Sequence, residues 1–369
     1  MPLLKSFLFI SFLLISSGFS IGQIFNQPNA VIGADIYTGF ILRHKPQIGH
    51  LITDHPKGFR MIYERKNYGK RQWQQRFNFP DVGATFTYVN YGDDRLGETF
   101  SLIPHYSFYI RKNKLSANQL KYSAGIGLAY NTEKYDREFN NKNNVLSTAV
   151  SIGVLLQVTY QRELMRRLFM NMSLAMTHFS NGAIKRPNSG INVMSTNLGF
   201  SYMINYTPEE YVYTEEKLFT ETKIGYTLTL SSGIHEYARI GTGQYPFFVV
   251  TALSDLQINR KSAIGVALEW FASFSMKKDI ADRFQFGDKE PPDWHRIGIA
   301  LSHELFINDL SVITQAGYYL YDEFNYYGKL YLRVGLRKYL NDSLYGSFSV
   351  KSHAAKAEAA ELGLGWRIK

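Results

Sequence analysis

The sequence predicts an all-β fold, a single antiparallel transmembrane outer-membrane β-barrel of about fourteen strands within a range of roughly twelve to sixteen. Three observations carry this prediction. Many segments alternate apolar with small or polar residues at period two, the pattern of a sheet whose two faces meet different surroundings. Beyond residue 22, no uninterrupted apolar run reaches the 18 or so residues of a membrane-crossing helix. The chain also holds 26 Tyr, 26 Phe and 29 Gly, and aromatic side chains favour the two interfaces of a membrane barrel.

The first residues have the layout of an export signal, with Lys5 ahead of the apolar run Phe7 to Ile15 and small residues at Ser20 and Gly22. Cleavage after Gly22 leaves residues 23–369 as one barrel domain with extracellular loops, exported to a Gram-negative outer membrane. With no cysteine, a disulfide-stapled secreted domain is excluded. The formal charge of +10 suits an anionic lipid surface, and export argues against a nucleic-acid partner.

Strand patterns run through 31–43, 58–67, 81–92, 98–112, 119–132, 144–160, 166–180 and 190–205. They resume at 219–234, 244–258, 262–275, 293–307, 309–322, 326–340, 343–353 and 357–368. Residues 58–80 fit least well, so about fourteen of these segments are expected in the closed barrel. Two segments are clearest. Ile264, Val266, Leu268 and Trp270 alternate with Ala263, Gly265, Ala267 and Glu269, and Leu330, Leu332, Val334 and Leu336 alternate with Tyr331, Arg333, Gly335 and Arg337. Aliphatic residues then face lipid, while Glu269, Arg333 and Arg337 face the lumen.

Connection lengths orient the barrel. Short turns at Asn308-Asp309, Asn341-Asp342, 259–261 and 161–165 fall on one rim, and longer segments 133–143, 181–189 and 276–292 on the other. Segment 206–218 breaks the alternation.

One strand bears chemistry. Leu168, Met170, Met172, Leu174 and Met176 form an apolar stripe that continues into His178 and Ser180, while Asn171, Ser173, Ala175, Thr177 and Asn181 take the other face. A base and a nucleophile therefore look toward lipid, at the outward end of the strand. The next strand presents Asn192 on the face of Met194, Leu198, Phe200 and Tyr202. If Ser180 sits opposite Gly190, His178 sits opposite Asn192 with Cβ atoms roughly 5 Å apart.

In that arrangement Ser180 attacks an ester carbonyl, His178 removes its proton, and Asn192 accepts from the other imidazole nitrogen. Ser and His lie roughly 6 Å apart along the strand, a gap that side-chain rotamers must close. Backbone N–H groups near Asn181 and Gly182, with or without the Asn181 amide, are the candidate oxyanion donors. An interfacial His and Ser with ordinary loop hydrogen bonds is the competing reading. A second His-x-Ser, at His105 and Ser107, faces the lumen and reads as structural. His303 continues the stripe of Ile297, Ile299 and Leu301 and reads as an interfacial anchor.

The run His178-Phe179-Ser180-Asn181-Gly182-Ala183-Ile184-Lys185-Arg186-Pro187-Asn188-Ser189-Gly190-Ile191 resembles the active-site segment of outer-membrane lipid A 3-O-deacylases, also grouped with acyloxyacyl hydrolases. The resemblance implies a barrel esterase acting on the lipid A of lipopolysaccharide, with His178 as base and Ser180 as nucleophile. The chain departs from that pattern in carrying Asn192 where the family has Glu, and it is longer than eight-stranded members. Thr177 through Gly182 also resembles the motif of outer-membrane phospholipase A, whose triad ends in Asn and whose members use calcium and dimerise.

The expected function is therefore a serine esterase on lipid A without a cofactor. The alternatives are a phospholipase on glycerophospholipids, with calcium, and a non-enzymatic pore or structural barrel. Lys185 and Arg186 are candidate partners for lipid A phosphates, with a solvated basic loop as the competing reading.

Overall fold

Each alternating segment forms a strand. A computed structural model describes residues 27–368 except 112–115, 216–218, 220, 221, 238, 286–289 and 355. The expected export signal at residues 1–22 lies outside the described residues.

The N-terminal strands are β1 (Ala30–Ile41), β2 (Lys57–Arg65), β3 (Asp81–Asn90), β4 (Glu98–Tyr109), β5 (Asn118–Asn131), β6 (Val150–Met165), β7 (Leu168–Ser180) and β8 (Ile191–Ile204). They pair antiparallel in sequence order, and β8 returns to β1 to close the barrel. A second closed barrel contains β9 (Ile224–His235), β10 (Tyr245–Gln257), β11 (Ser262–Ser273), β12 (His295–Ile307), β13 (Leu310–Tyr321), β14 (Leu330–Tyr339), β15 (Leu344–His353) and β16 (Lys356–Ile368). Here β16 closes onto β9.

The expectation of one barrel of about fourteen strands is thus corrected to two closed barrels of eight. All sixteen strand patterns form strands, including the weak one at 58–67. Periodicity specifies which residues share a face, but not which strand a sheet closes upon. Segment 206–218, which broke the alternation of short and long connections, belongs to the link from β8 to β9.

The exteriors are apolar and the lumens polar, as the alternation predicts. Leu174 on β7 and Leu301 on β12 are 65% and 69% exposed, whereas the lumen-facing Glu269 is 1% exposed. In the C-terminal barrel Arg333 pairs with Glu269 and, at 2.8 Å, with Glu361, and Arg337 pairs with Glu304 at 2.6 Å. In the N-terminal barrel Glu64 meets Lys121 at 2.8 Å, Ser107 at 2.5 Å and His105 at 3.4 Å. His105 and Ser107 are accordingly buried lumen residues. A lumen cavity bounded by Asp35, Glu64, His105 and Lys121 measures about 20 Å³, room for about one water. Among the described residues, polar and charged side chains line this part of the lumen.

One rim of the N-terminal barrel carries the connections 42–56, 91–97, 132–149 and 181–190. Beneath them lies an apolar cluster that includes Tyr37, Ile48, Leu51, Tyr91, Leu96, Leu146, Phe179 and Ile191. Loop residues thereby share a core with the strand ends. Fully burying one such aliphatic or aromatic side chain contributes roughly 1.5–3 kcal/mol, so these loops are anchored by packing as well as by hydrogen bonds. Among the helices, α1 (Gln72–Arg76) lies between β2 and β3, and α2 (Phe274–Phe284) between β11 and β12, where Ser273 caps its first turn by accepting from the Met276 N–H.

Candidate active site

The β7–β8 ladder sets His178 directly opposite Asn192 and Phe179 opposite Ile191. Because side chains alternate, Phe179 and Ile191 enter the rim core, both at 1% exposure or less, and His178, Ser180 and Asn192 emerge on the outer surface. The same stripe that exposes Met172 and Leu174 thus ends in polar chemistry.

The three side chains form a continuous hydrogen-bonded set. His178 Nδ1 lies 2.7 Å from Asn192 Oδ1, and His178 Nε2 lies 3.0 Å from Ser180 Oγ. The gap of two residues between Ser180 and His178 is closed by their rotamers. An amide oxygen only accepts, so His178 carries its proton on Nδ1 when neutral and turns a lone pair toward Ser180. That is the tautomer a general base for Ser180 requires.

Backbone geometry protects this arrangement. Gly190 has φ +72°, and a Cβ built there would stand 2.8 Å from His178 Cε1. The Ser189 and Gly190 N–H groups donate to the carbonyls of Asn144 and Val145, both at 3.1 Å. Asn144 in turn donates from its side chain to the Gln47 carbonyl at 2.7 Å. The loop preceding Asn192 is therefore tied to two neighbouring loops.

The other predicted residues are placed differently. Asn181 is buried, its Nδ2 donating to Ser147 Oγ at 2.9 Å and its backbone N–H to Asn188 Oδ1 at 3.2 Å. Both Asn181 donors thus have protein partners. Residues 182–186 group with the C-terminal unit. There the Arg186 backbone N–H donates to Glu236 Oε2 at 2.7 Å, and its guanidinium donates to the Glu236 carbonyl at 3.2 Å and the Tyr327 hydroxyl at 3.3 Å. Lys185 is exposed.

Sequence reasoning missed His44, which lies just past β1. Its Nδ1 is 3.1 Å from Asn192 Nδ2, and its Nε2 is 3.0 Å from the Ser189 carbonyl. Lys45 also donates to the Ser189 carbonyl, at 3.2 Å. No periodic signal marks this irregular stretch.

Serine and histidine side chains also meet elsewhere. In the C-terminal barrel His235 Nε2 lies 2.9 Å from Ser273 Oγ and 2.7 Å from Ser275 Oγ, but all three residues are buried. His303 Nε2 lies 3.2 Å from Ser262 Oγ on a half-exposed surface. Among the described residues, no group of three or more His, Cys, Asp or Glu side chains is placed to hold a metal ion.

Residues 57–201 match the family described as lipid A 3-O-deacylase (PagL), and residues 224–369 match the acyloxyacyl hydrolase C-terminal domain. Among solved structures, the outer membrane enzyme PagL aligns over 46% of this chain and 98% of its own, at 16% identity and a TM-score of 0.31. A mutant Rh. blastica porin aligns over 92% of this chain and 99% of its own, at 10% identity and a TM-score of 0.19. No curated protein matches the chain. The two family matches take in most of the sequence, one for each barrel: the N-terminal barrel matches the lipid A 3-O-deacylase family and the C-terminal barrel the acyloxyacyl hydrolase C-terminal domain.

Proposed function

We propose that the N-terminal barrel is an outer-membrane serine esterase that hydrolyses an ester-linked acyl chain of lipid A. The observation that carries this reading is the hydrogen-bonded set of Ser180, His178 and Asn192 on an apolar outer surface. A lipid substrate reaches that surface laterally, its acyl chains against Leu174 and its neighbours. The family match of this barrel directs the choice of lipid to lipid A.

In the reaction, Ser180 Oγ attacks the ester carbonyl as His178 Nε2 takes its proton. Asn192 Oδ1 holds the Nδ1–H and steadies the imidazolium. Backbone N–H donors next to Ser180 would stabilise the oxyanion. The tetrahedral intermediate collapses as His178 returns the proton to the departing sugar oxygen, leaving an acyl-Ser180. Water, deprotonated by His178, then releases the fatty acid. Lys185 supplies a cation for a lipid A phosphate. The Arg186 guanidinium is engaged with Glu236 and Tyr327.

The test is fatty-acid release by the purified full chain from lipid A in mixed micelles, beside Ser180→Ala. Serine-dependent release supports the proposal. Release from glycerophospholipid alone, requiring calcium, moves the assignment to a phospholipase, and no serine-dependent release from either lipid leaves a non-enzymatic barrel.

A further inference from the structure

We propose that His44 is a positioning residue that fixes the direction of the Asn192 side chain and, through it, the tautomer of His178. This inference rests on the esterase reading above and deepens it. It starts from the chemistry of an amide, Asn192, beside the imidazole of His178. The two ends of a carboxylate are equivalent acceptors, whereas an amide has an accepting oxygen and a donating nitrogen. An amide beside a catalytic histidine works in one orientation and fails in the other. With Nδ2 toward His178, the imidazole would present a lone pair at Nδ1 and a proton at Nε2, and could not take the proton of Ser180.

The structure supplies a group that decides between these orientations. The Ser189 carbonyl, 3.0 Å from His44 Nε2, can only accept, so His44 carries its proton on Nε2. Neutral His44 then presents a lone pair at Nδ1, 3.1 Å from Asn192 Nδ2. Asn192 must turn its NH2 to His44 and its oxygen to His178, at 2.7 Å. His178 Nδ1 must then be protonated and its Nε2 free to accept from Ser180 at 3.0 Å. Four hydrogen bonds thus run in one direction, from the Ser180 hydroxyl through His178, Asn192 and His44 to a backbone carbonyl. Such chains polarise one another, so positive charge developing on His178 is shared along the set.

The Leu42 carbonyl also lies near His44 Nδ1, at 3.2 Å. It competes only when that nitrogen carries a proton, which reverses the set and leaves Ser180 without a base.

His44 reaches this place because β1 and β8 form the closing seam of the barrel. The ladder pairs Ile41 with Val193, and the Leu42 N–H donates to the Asn192 carbonyl at 2.9 Å. Residues 148 positions apart in sequence are thereby neighbours. His44 also precedes the matched family segment 57–201, so this partner comes from the part of the barrel that the match leaves out.

The experiment compares the full chain with His44→Ala and His44→Asp in detergent micelles. A carboxylate at residue 44 accepts near the Nδ1 position and cannot donate, so it holds Asn192 in the same direction. His178→Gln identifies the His178 signals in histidine-labelled nitrogen NMR spectra. The expected result is a wild-type His178 protonated at Nδ1, a mixed tautomer in His44→Ala, and recovery in His44→Asp. Turnover should follow, with kcat down about tenfold in His44→Ala at unchanged KM and restored in His44→Asp. An unchanged His178 tautomer in His44→Ala overturns the proposal, as does failure of His44→Asp to restore a lost one. If the tautomer responds as expected but no acyl chain is released from lipid A by the wild type, the positioning role stands and the substrate assignment fails.

Discussion

Asn192 stands opposite His178 across the β7–β8 ladder, and its side-chain oxygen accepts from His178 Nδ1 at 2.7 Å. Orientation of the imidazole is therefore provided without a negative charge. A carboxylate at this position would also stabilise the imidazolium formed as Ser180 attacks. Asn192→Glu is expected to raise kcat about tenfold, equivalent to about 1.4 kcal/mol of transition-state stabilisation, and Asn192→Ala to lower it. Steady-state kinetics on lipid A micelles measures both, and a decrease in kcat for Asn192→Glu contradicts the assigned role.

Gly190 shapes the site through its backbone. Its φ of +72° disfavours any Cβ, and the atom added by alanine would lie 2.8 Å from the His178 ring. Gly190→Ala should reduce hydrolysis at least about tenfold while leaving a folded barrel, because the clash falls on the imidazole. Activity is read beside the heat-dependent electrophoretic mobility of the barrel, and wild-type kcat in this variant would refute the close approach.

Arg333 answers two buried carboxylates in the C-terminal barrel, Glu269 and Glu361. Removing one partner of a buried ion pair leaves an uncompensated charge, at a cost of about 3–5 kcal/mol. Arg333→Met is expected to lower the denaturant midpoint of this barrel. Replacing Arg333, Glu269 and Glu361 together with apolar residues should recover much of the loss.

Asp93 braces the site-bearing rim of the N-terminal barrel. It accepts from Thr53 Oγ1 at 2.9 Å and from Arg95, whose carbonyl receives the side-chain amides of Asn140 and Asn143 at 2.9 and 2.8 Å. Its hydrogen bonds to Arg95 lower the Asp93 pKa from the ordinary 3.8. A carboxyl with a depressed folded pKa stabilises fully above its unfolded value and loses that contribution as pH falls through the folded one. Protection of the 91–97 loop from proteolysis should therefore persist at neutral pH and weaken below about pH 4. Asp93→Asn should flatten this dependence, and an unchanged profile would exclude the brace.

The strand pattern and most of the triad geometry were legible in the sequence because period-two alternation specifies faces directly. The stripe from Leu168 to Met176 put His178 and Ser180 outside, and the antiparallel register put Asn192 across from His178. Closure was not legible. Nothing in the alternation of β8 tells whether its free edge meets β1 or β9, and one large barrel would have carried β1 to the far end of the chain. His44 was missed for that reason, since its contact with Asn192 exists only at the seam of an eight-stranded barrel. The commitment of Arg186 to Glu236 was equally hidden, because charge in a loop does not reveal its partner.

The most direct test of the central claim is mass spectrometry of lipid A and phospholipids from Gram-negative cells expressing the full chain or Ser180→Ala. Lipid A is expected to lose the mass of one acyl chain only when Ser180 is intact, with phospholipids unchanged. Identical lipid A in both strains, at equal amounts of folded protein in the outer membrane, would contradict it.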